Sequence, residues 1–292
     1  MGSPLCPCCT HPLGLIGQDD YTEFFCGNCD HTYFVSEHGI TAKDYEDSDK
    51  YADYYTGEPP FLWYHKQALK AVRTLPVGSR VLDFGCFDGF FVKRMIDHQV
   101  DAYGCDWNSK ALKAGGARFD IADRLSRDGE GIYDAVVALE VIEHFEDPNV
   151  FMDVVSRLLT KGGSLILSCP NKNAVYRPST DVPPHHFSRF STNSLKTIVS
   201  RYEFEVGRQN VEYSFPQMTR NYVGDRMRSR STNVAAGPAP GKVEDSGLYV
   251  GLRKAANTIV PIAETVSIPL SFMMKTFKKP YIAQFLEAKK IS

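Results

Sequence analysis

The sequence has almost no excess of charge of either sign, since 33 Lys and Arg residues stand against 35 Asp and Glu residues for a formal net charge of -2. Bulk charge therefore does not favour nucleic acid as the main partner. The first ten residues also lack the charged and then apolar pattern of a secretory signal. We expect a cytoplasmic protein.

Long uninterrupted apolar runs are missing as well. The most apolar stretch, 252–274, is broken by Pro261, Glu264 and Pro269 and is too short to span a bilayer. Two interpretations stay open for it: a segment that docks on the cytoplasmic face of a membrane, or a helical cover that packs on the protein or on a second copy.

Cysteine is too scarce for a disulfide scaffold, because the chain has eight in 292 residues, yet five of them lie in the first 29. Cys6 and Cys9 form one Cys-x-x-Cys pair, and Cys26 and Cys29 form a second after 16 intervening residues. This spacing predicts a tetrahedral structural zinc site with four thiolate ligands. Other ligands lie nearby: Cys8, His11 and His31.

The pattern of the chain predicts five regions. They are a zinc-ribbon-like module at 1–40, a linker and covering helix at 41–78, an α/β domain at 79–213, an insertion with a flexible linker and an apolar helical segment at 214–279, and a final strand and tail at 280–292.

Strand-like and helix-like patterns alternate from residue 79, which is typical of a parallel sheet built from βαβ units. The predicted strands are 80–85, 101–106, 117–122, 133–139, 163–170 and 204–213, with the last one in 280–290. The predicted helices are 61–75, 149–161 and 192–202, and His65 and His98 are predicted to lie on helix surfaces.

The loop after the first of these strands, VLDFGCFDGFF at 81–91, lacks the glycines of two common nucleotide sites. Phe87 and Phe90 stand where a dinucleotide loop needs its second and third glycines, and no Gly-Lys-Ser/Thr ending makes a P-loop. Asp83 would repel a pyrophosphate but suits a cationic amine. S-adenosylmethionine carries an ammonium and a sulfonium, and its carboxylate can use the amides of the following helix N-terminus.

At this point the chain resembles the class I S-adenosylmethionine-dependent methyltransferases, over roughly 79–213. Their first motif, Asp-x-Gly-x-Gly-x-Gly, matches Asp83, Gly85 and Gly89, while Phe87 replaces the middle glycine. YDAVVALEVIEHFEDP and KGGSLILSCPN resemble the family's fourth-strand and fifth-strand blocks, and PPHHFSRFSTNSL resembles a segment of small-molecule and glycan methyltransferases. The resemblance implies an α/β fold with a Rossmann-like seven-stranded sheet and helices on both faces.

The resemblance also implies the cofactor's neighbours. Asp106, at the end of the second strand, is expected to accept the ribose hydroxyls; Asp120 or Asp123 is expected to meet the adenine amine. The remaining predicted cofactor-binding residues are Cys86, Phe87, Trp107, Leu139 and Glu140.

The candidate catalytic residues follow the fourth strand and the VPP turn. Glu140, Glu143 and His144 form Glu-x-x-Glu-His; if this segment is helical, Glu140 and His144 share one face. This pattern resembles the divalent metal site of small-RNA 2'-O-methyltransferases and of some quinone O-methyltransferases, which implies Mg2+ here. The same pattern also recurs in methyltransferases without metal. His185 and His186 are candidate general bases.

Three functions stay open. The sequence favours O-methylation of a small molecule, a glycan or a lipid-linked acceptor, with peripheral membrane contact as an associated expectation. An RNA methyltransferase could use the ribbon as an RNA clamp, with Arg220, Arg226, Arg228 and Arg230 on phosphates. A non-catalytic assembly module would explain Phe87 in the glycine loop.

Overall fold

The structure is a computed structural model, and it describes residues 4–18, 20–36, 61–107, 130–178, 181–213, 272, 275–276 and 283–292. Several predictions on the sequence lie outside these residues. They are the strand at 117–122, Asp120 and Asp123, the linker at 229–247, the four arginines of 220–230, and the apolar stretch 252–274 except for the exposed Phe272.

The described strands, in chain order, are β1 (Gly14–Gln18), β2 (Thr22–Cys26), β3 (His31–Val35), β4 (Arg80–Phe84), β5 (Asp101–Cys105), β6 (Tyr133–Leu139), β7 (Leu159–Pro170), β8 (Ser188–Arg189), β9 (Phe204–Val211) and β10 (Ala283–Lys290). The helices are α1 (Trp63–Val72), α2 (Phe90–Asp97), α3 (Pro148–Leu158) and α4 (Thr192–Arg201), and a 3-10 turn covers Ile142–His144. Within this part of the chain, no helix has both the length and the apolar character needed to cross a membrane.

The larger sheet has six described strands in the order β5-β4-β6-β7-β10-β9. β4 runs parallel to both β5 and β6, β6 runs parallel to β7, and β10 is antiparallel to β7. The carboxyl ends of β4, β5, β6 and β7 therefore meet at one edge of the sheet, where open α/β folds bind ligands.

Alternation along the strands places apolar side chains on both faces of this sheet. Val81 packs in a cluster with α1 and α2, and its neighbour Leu82 packs in a second cluster with α3 and α4. In α4, Leu195 and Ile198 are fully buried on one face, and each such side chain contributes about 2 kcal/mol by leaving water.

Capping residues mark the starts of α3 and α4, the two helices that cover the sheet face on which Leu82 lies. Asp147 accepts the Asn149 amide at 2.9 Å and Pro148 occupies the first turn of α3, which suits its missing N–H. Ser191 likewise accepts the amide of Ser194 at 3.1 Å at the start of α4.

The predicted end of α3 was too late by three residues. Leu159 leaves the helix with φ -80° and ψ 135° and pairs with Tyr133, so that β7 begins there rather than at residue 163. The pairing of Leu159 with β6 outweighs the helical periodicity of the sequence at the end of α3.

The cysteine-rich segment forms a second sheet, in the order β1-β2-β3-β8. Its fourth strand comes from far along the chain, since Thr32 pairs with Arg189 and Tyr33 with Ser188. The described parts of 1–172, 182–210 and 283–292 form one compact unit; a second unit takes in 173–181 and 211–282.

Candidate active site

The glycine loop between β4 and α2 is shaped by close contacts. Gly85 has φ 81°, and a Cβ at this position would lie 2.6 Å from Cγ2 of Val141, so only glycine fits without a shift. The amides of Gly85 and Cys86 donate to the Cys105 carbonyl at 2.9 and 3.0 Å. The loop is thus anchored to the end of β5.

Phe87 stands where the resemblance places the middle glycine of the motif, and it adopts a backbone conformation that favours glycine. Its φ is 48°, in the left-handed region, and its amide donates to Oδ2 of Asp106 at 2.8 Å. A left-handed non-glycine residue is strained by about 1 kcal/mol, and this charge-assisted hydrogen bond offsets the strain. Asp106 therefore holds the loop in addition to its predicted role on the ribose.

The helix after the loop begins at a glycine. Gly89, with φ 72°, precedes α2, and Oδ1 of Asp88 accepts the Phe90 amide at 3.0 Å. The N-terminal turn of α2 carries the positive end of the helix dipole, which suits an anionic group.

Asp83 lies at the carboxyl end of β4 and is 3% exposed. Burial, followed by the negative charges of Asp106 and Asp88, raises the pKa of Asp83 to about 8. Such a carboxyl favours a cation beside it, because a positive charge would restore its ionised form.

The other described residues predicted to bind cofactor lie at the same edge. Trp107 is 63% exposed and its ring meets that of Phe145 edge-on at 6.5 Å. Leu139 is half-buried at the end of β6, and Glu140 accepts a hydrogen bond from Ser168 Oγ at 2.9 Å. Burial raises the pKa of the Cys86 thiol, so this residue is a packing group rather than a nucleophile.

The segment is not helical at Glu140, so the condition for Glu140 and His144 to share one helix face is not met. Glu140 has φ 58°, and the 3-10 turn starts two residues later at Ile142. The side chain that joins Glu143 and His144 is instead His186: the potential ligand atoms of these three residues all lie within 4.8 Å of one another.

Backbone contacts hold this cluster together. Nδ1 of His144 donates to the carbonyl of His185 at 2.6 Å, and the His144 and His186 rings meet edge-on at 4.8 Å. The Phe187 amide donates to the carbonyl of Glu143 at 2.8 Å. Of the two adjacent histidines, His186 contributes its ring and His185 contributes its carbonyl.

Burial lowers the pKa of His144 to about 3, and the electrostatic influence of the neighbouring His186 acts in the same direction. His144 is therefore neutral at physiological pH. Because a carbonyl oxygen can only accept, the hydrogen bond to His185 places the proton on Nδ1 and the basic lone pair on Nε2.

His65 was predicted to lie on a helix surface, and that prediction is wrong. Its ring stacks on Phe61 at 5.6 Å and lies 5.7 and 5.4 Å from Phe90 and Phe91, which open α2 behind the glycine loop. Burial lowers the pKa of His65 to about 3. The aromatic residues flanking it in the sequence were the available signal. His98 is exposed, as predicted.

The four cysteines predicted as ligands converge. Sγ of Cys6 lies 3.6 Å from Sγ of Cys29, Sγ of Cys9 lies 3.4 Å from Sγ of Cys26, and all four sulfurs fall within 4.8 Å of one another. Tetrahedral zinc with bonds of about 2.3 Å separates its sulfurs by about 3.8 Å. The arrangement fits zinc and is too wide for a disulfide.

Cys6 and Cys9 lie in one turn, and Cys26 and Cys29 lie in a second turn of the same geometry. The amide of Thr10 donates to the Cys6 carbonyl at 2.8 Å, and the amide of Asp30 donates to the Cys26 carbonyl at 2.9 Å. Both Thr10 and Asp30 have φ 61°. This repeated geometry supports Cys6 and Cys26, each with the cysteine three residues later, as one ligand set.

The thiols influence each other's ionisation. Hydrogen bonds from Cys29 and Cys8 lower the pKa of Cys6, while the pKa of Cys29 is raised by its hydrogen bond to Cys6 and that of Cys26 by burial. One thiolate is stabilised at the expense of its neighbours. A divalent cation would allow all the ligands to ionise.

Residues 62–209, half of the chain, match the family model described as a methyltransferase domain. The chain belongs to the methyltransferase-domain family. It is similar to the ubiquinone biosynthesis O-methyltransferase of Pectobacterium carotovorum subsp. carotovorum (strain PC1), with 25% identity over 158 residues that cover 50% of this chain and 64% of that protein. It is also similar to the protein of that name from Caulobacter sp. (strain K31), with 31% identity over 111 residues that cover 34% of this chain and 44% of that protein. The chain thus spans less than two thirds of the length of these relatives.

Among solved structures, the chain is similar to phosphoethanolamine N-methyltransferase 2 of Haemonchus contortus in complex with S-adenosyl-L-methionine. The TM-score is 0.55 at 16% sequence identity, and the match covers 89% of this chain and 62% of the other. The Rossmann-like methyltransferase fold predicted for this chain is confirmed. At the level of the family, so is the prediction of a methyltransferase enzyme.

Proposed function

We propose that the protein transfers the methyl group of S-adenosylmethionine to a hydroxyl of a small-molecule, glycan or lipid-linked acceptor. The observation that carries this proposal is the cluster of Glu143, His144 and His186, which follows β6 at the edge where the glycine loop lies. The two curated relatives named above are O-methyltransferases, which supports a hydroxyl over other nucleophiles.

In this proposal the glycine loop holds the cofactor. Asp83 faces its ammonium, Asp106 its ribose, and the first turn of α2 its carboxylate. When bound, S-adenosylmethionine supplies a methyl group on a positively charged sulfur. Asp123, for the adenine amine, remains a prediction from the sequence.

Methyl transfer requires three atoms in line. The acceptor oxygen forms a bond to the methyl carbon as the carbon–sulfur bond breaks, the sulfonium becomes a neutral thioether, and the hydroxyl proton leaves to a base. His186, half-buried and accessible to an acceptor, is the proposed base. His144 is a poor proton acceptor at neutral pH because its pKa is depressed to about 3.

The low pKa of His144 suits a different task, since metal ligands must be neutral imidazoles. Its Nδ1–H donates to a backbone carbonyl, the support that metal-bound histidines commonly have. One carboxylate and two imidazoles favour a cation such as Mn2+, Fe2+ or Zn2+ over Mg2+, which prefers oxygen ligands. The residues that would hold such a cation are Glu143, His144 and His186, in place of the Mg2+ site predicted with Glu140. With a cation bound, His186 would be a ligand, and the hydroxyl proton would leave to solvent instead of to His186. A cation there would lower the pKa of the acceptor hydroxyl.

The proposal is tested by transfer of a labelled methyl group from S-adenosylmethionine into extract of the source organism. The products are digested with nuclease and partitioned into organic and aqueous phases before counting. Label that survives nuclease supports a metabolite, glycan or lipid-linked acceptor. Label released as nucleotides would overturn the proposal in favour of an RNA acceptor.

A separate titration tests the non-catalytic alternative. Calorimetry of S-adenosylmethionine binding to the folded, zinc-loaded protein should give a measurable affinity, because Phe87 adopts a left-handed backbone and the Asp106 carboxylate holds its amide. A folded protein that binds no cofactor would favour an assembly role over both enzymatic functions.

A further inference from the structure

The cysteine-rich ribbon is joined to the histidine cluster by continuous hydrogen bonding. β3 pairs with β8, and the Phe34 amide donates to the Phe187 carbonyl at 2.9 Å. The amide of the same residue, Phe187, donates onward to the Glu143 carbonyl at 2.8 Å. Phe187, 2% exposed, thus links the ribbon to the turn that carries Glu143 and His144.

Side chains reinforce this junction. Nη1 of Arg189 lies 3.1 Å from Oε1 of Glu23, and its guanidinium covers the Phe34 ring at 4.6 Å. Tyr33 donates its hydroxyl to the Glu146 carbonyl at 2.8 Å. The contacts of Arg189 join the ribbon to the histidine segment, which we define as residues 185–190, and the contact of Tyr33 joins the ribbon to Glu146, two residues after His144.

The metal-binding turns themselves contact this segment. Lys172 donates from Nζ to Oδ1 of Asp30 at 2.6 Å, and its amide donates to the Phe190 carbonyl at 2.8 Å. His31 is fully buried, with Nδ1 3.8 Å from Sγ of Cys6 and its ring 4.9 Å from that of Phe190. A side chain next to the thiolates therefore packs directly on the histidine segment.

The glycine loop is supported elsewhere. Its amides bond to Cys105 at the end of β5 and to Asp106, and Gly85 packs against Val141. These hydrogen bonds of the glycine loop go to β5 and Asp106 and not to the ribbon.

We propose that the metal-loaded ribbon positions the histidine segment, so that metal at Cys6, Cys9, Cys26 and Cys29 controls acceptor use and leaves cofactor binding intact. This inference rests on the proposed function for its catalytic consequence. So short a segment draws much of its folding free energy from the metal. Loss of the metal would release β3 and with it the pairing of β8.

Hydrogen exchange read by mass spectrometry tests the positioning without any acceptor. The full chain is compared before and after zinc is removed by a chelator, with S-adenosylmethionine titrated into both samples. We expect exchange in 185–190 to rise by about tenfold or more as its opening becomes easier, while exchange in 81–91 and cofactor affinity stay within about twofold. Unchanged exchange in 185–190, or parallel loss of cofactor binding, would overturn the proposal.

A point variant keeps the test independent of ribbon unfolding. Lys172→Met removes the ammonium that bonds Asp30 but keeps most of the stem, and Lys172→Arg restores the charge. We expect Lys172→Met to raise the acceptor KM about fivefold with the KM for S-adenosylmethionine unchanged, and Lys172→Arg to recover most of the loss. Arg157→Met is the matched control, since it breaks an exposed pair with Glu130.

The two measurements separate the proposals. If methyl transfer to a hydroxyl is not found, the exchange data still decide whether the ribbon supports 185–190. If transfer is found and Lys172→Met behaves like Arg157→Met, the positioning role is refuted and the proposed function stands.

Discussion

The glycine loop and the histidine segment are built in opposite ways. The turn of the loop, 85–89, is held by hydrogen bonds to Cys105 and Asp106, within one βα unit of the chain. The histidine segment is held by β3 and by Glu143, from two distant parts of the sequence. A site whose contacts join residues close in the sequence can be recognised as a motif. A site whose contacts join residues far apart in the sequence forms only when the whole chain folds.

The largest effect is expected from Cys26→Ser. Loss of one thiolate should abolish tight zinc binding and unfold the ribbon, with an expected stability loss of several kcal/mol. Metal content by spectrometry and thermal unfolding measure it. Cys8→Ser is the control and should retain one zinc per chain; if Cys8→Ser loses the metal and Cys9→Ser does not, Cys8 is the ligand.

Glu143→Gln should follow in size. Removal of the buried carboxylate charge is expected to lower kcat about 100-fold to 1000-fold with cofactor affinity unchanged. Steady-state kinetics with calorimetry of cofactor binding provide the readout. Glu130→Gln, on an exposed pair, is the matched control, and equal activity of the two variants would remove Glu143 from the site.

Asp106→Ala tests the glycine loop. It removes the predicted ribose acceptor and the carboxylate that holds the Phe87 amide, so we expect the Kd for S-adenosylmethionine to rise about 10-fold to 100-fold. Asp101→Ala, at the opposite end of β5, should bind normally. If Asp106→Ala binds as tightly as the parent, the assignment of this strand end to the cofactor is wrong.

Asp83→Asn gives the most specific effect, a change in the pH dependence of stability. With its pKa raised to about 8, Asp83 holds a proton in the folded state that the unfolded chain releases near pH 4. The free energy of unfolding therefore falls as the pH rises from about 4 to 8, by up to about 1.4 kcal/mol per pH unit. The Asp83→Asn substitution removes this pH dependence.

Urea unfolding of the parent and Asp83→Asn, without cofactor at pH 5, 6.5 and 8, measures the difference. The variant should gain relative stability as pH rises. If the free energies of unfolding of the parent and the variant change equally with pH over this range, Asp83 is ionised in the folded protein.

Much of the cofactor half was predictable. The spacing of Asp83, Gly85 and Gly89 predicted the loop, and the structure adds why the glycine is needed, through its contact with Val141. The histidine cluster was predicted in part. Glu143, His144 and His186 were named as candidates, but the Glu-x-x-Glu-His pattern does not reveal that Glu140 adopts a left-handed backbone or that the ring of His186 joins the other two side chains.

By itself, the sequence determined the alternation of strands and helices, the cofactor loop and the four cysteines. These depend on residue type at short spacing, which local geometry converts directly into structure. Tertiary structure alone decided that β8 would complete the ribbon's sheet and that Phe187 would bond to both Phe34 and Glu143. Such pairings join residues more than 40 positions apart, and backbone hydrogen bonds carry no side-chain signature from which a sequence could announce them.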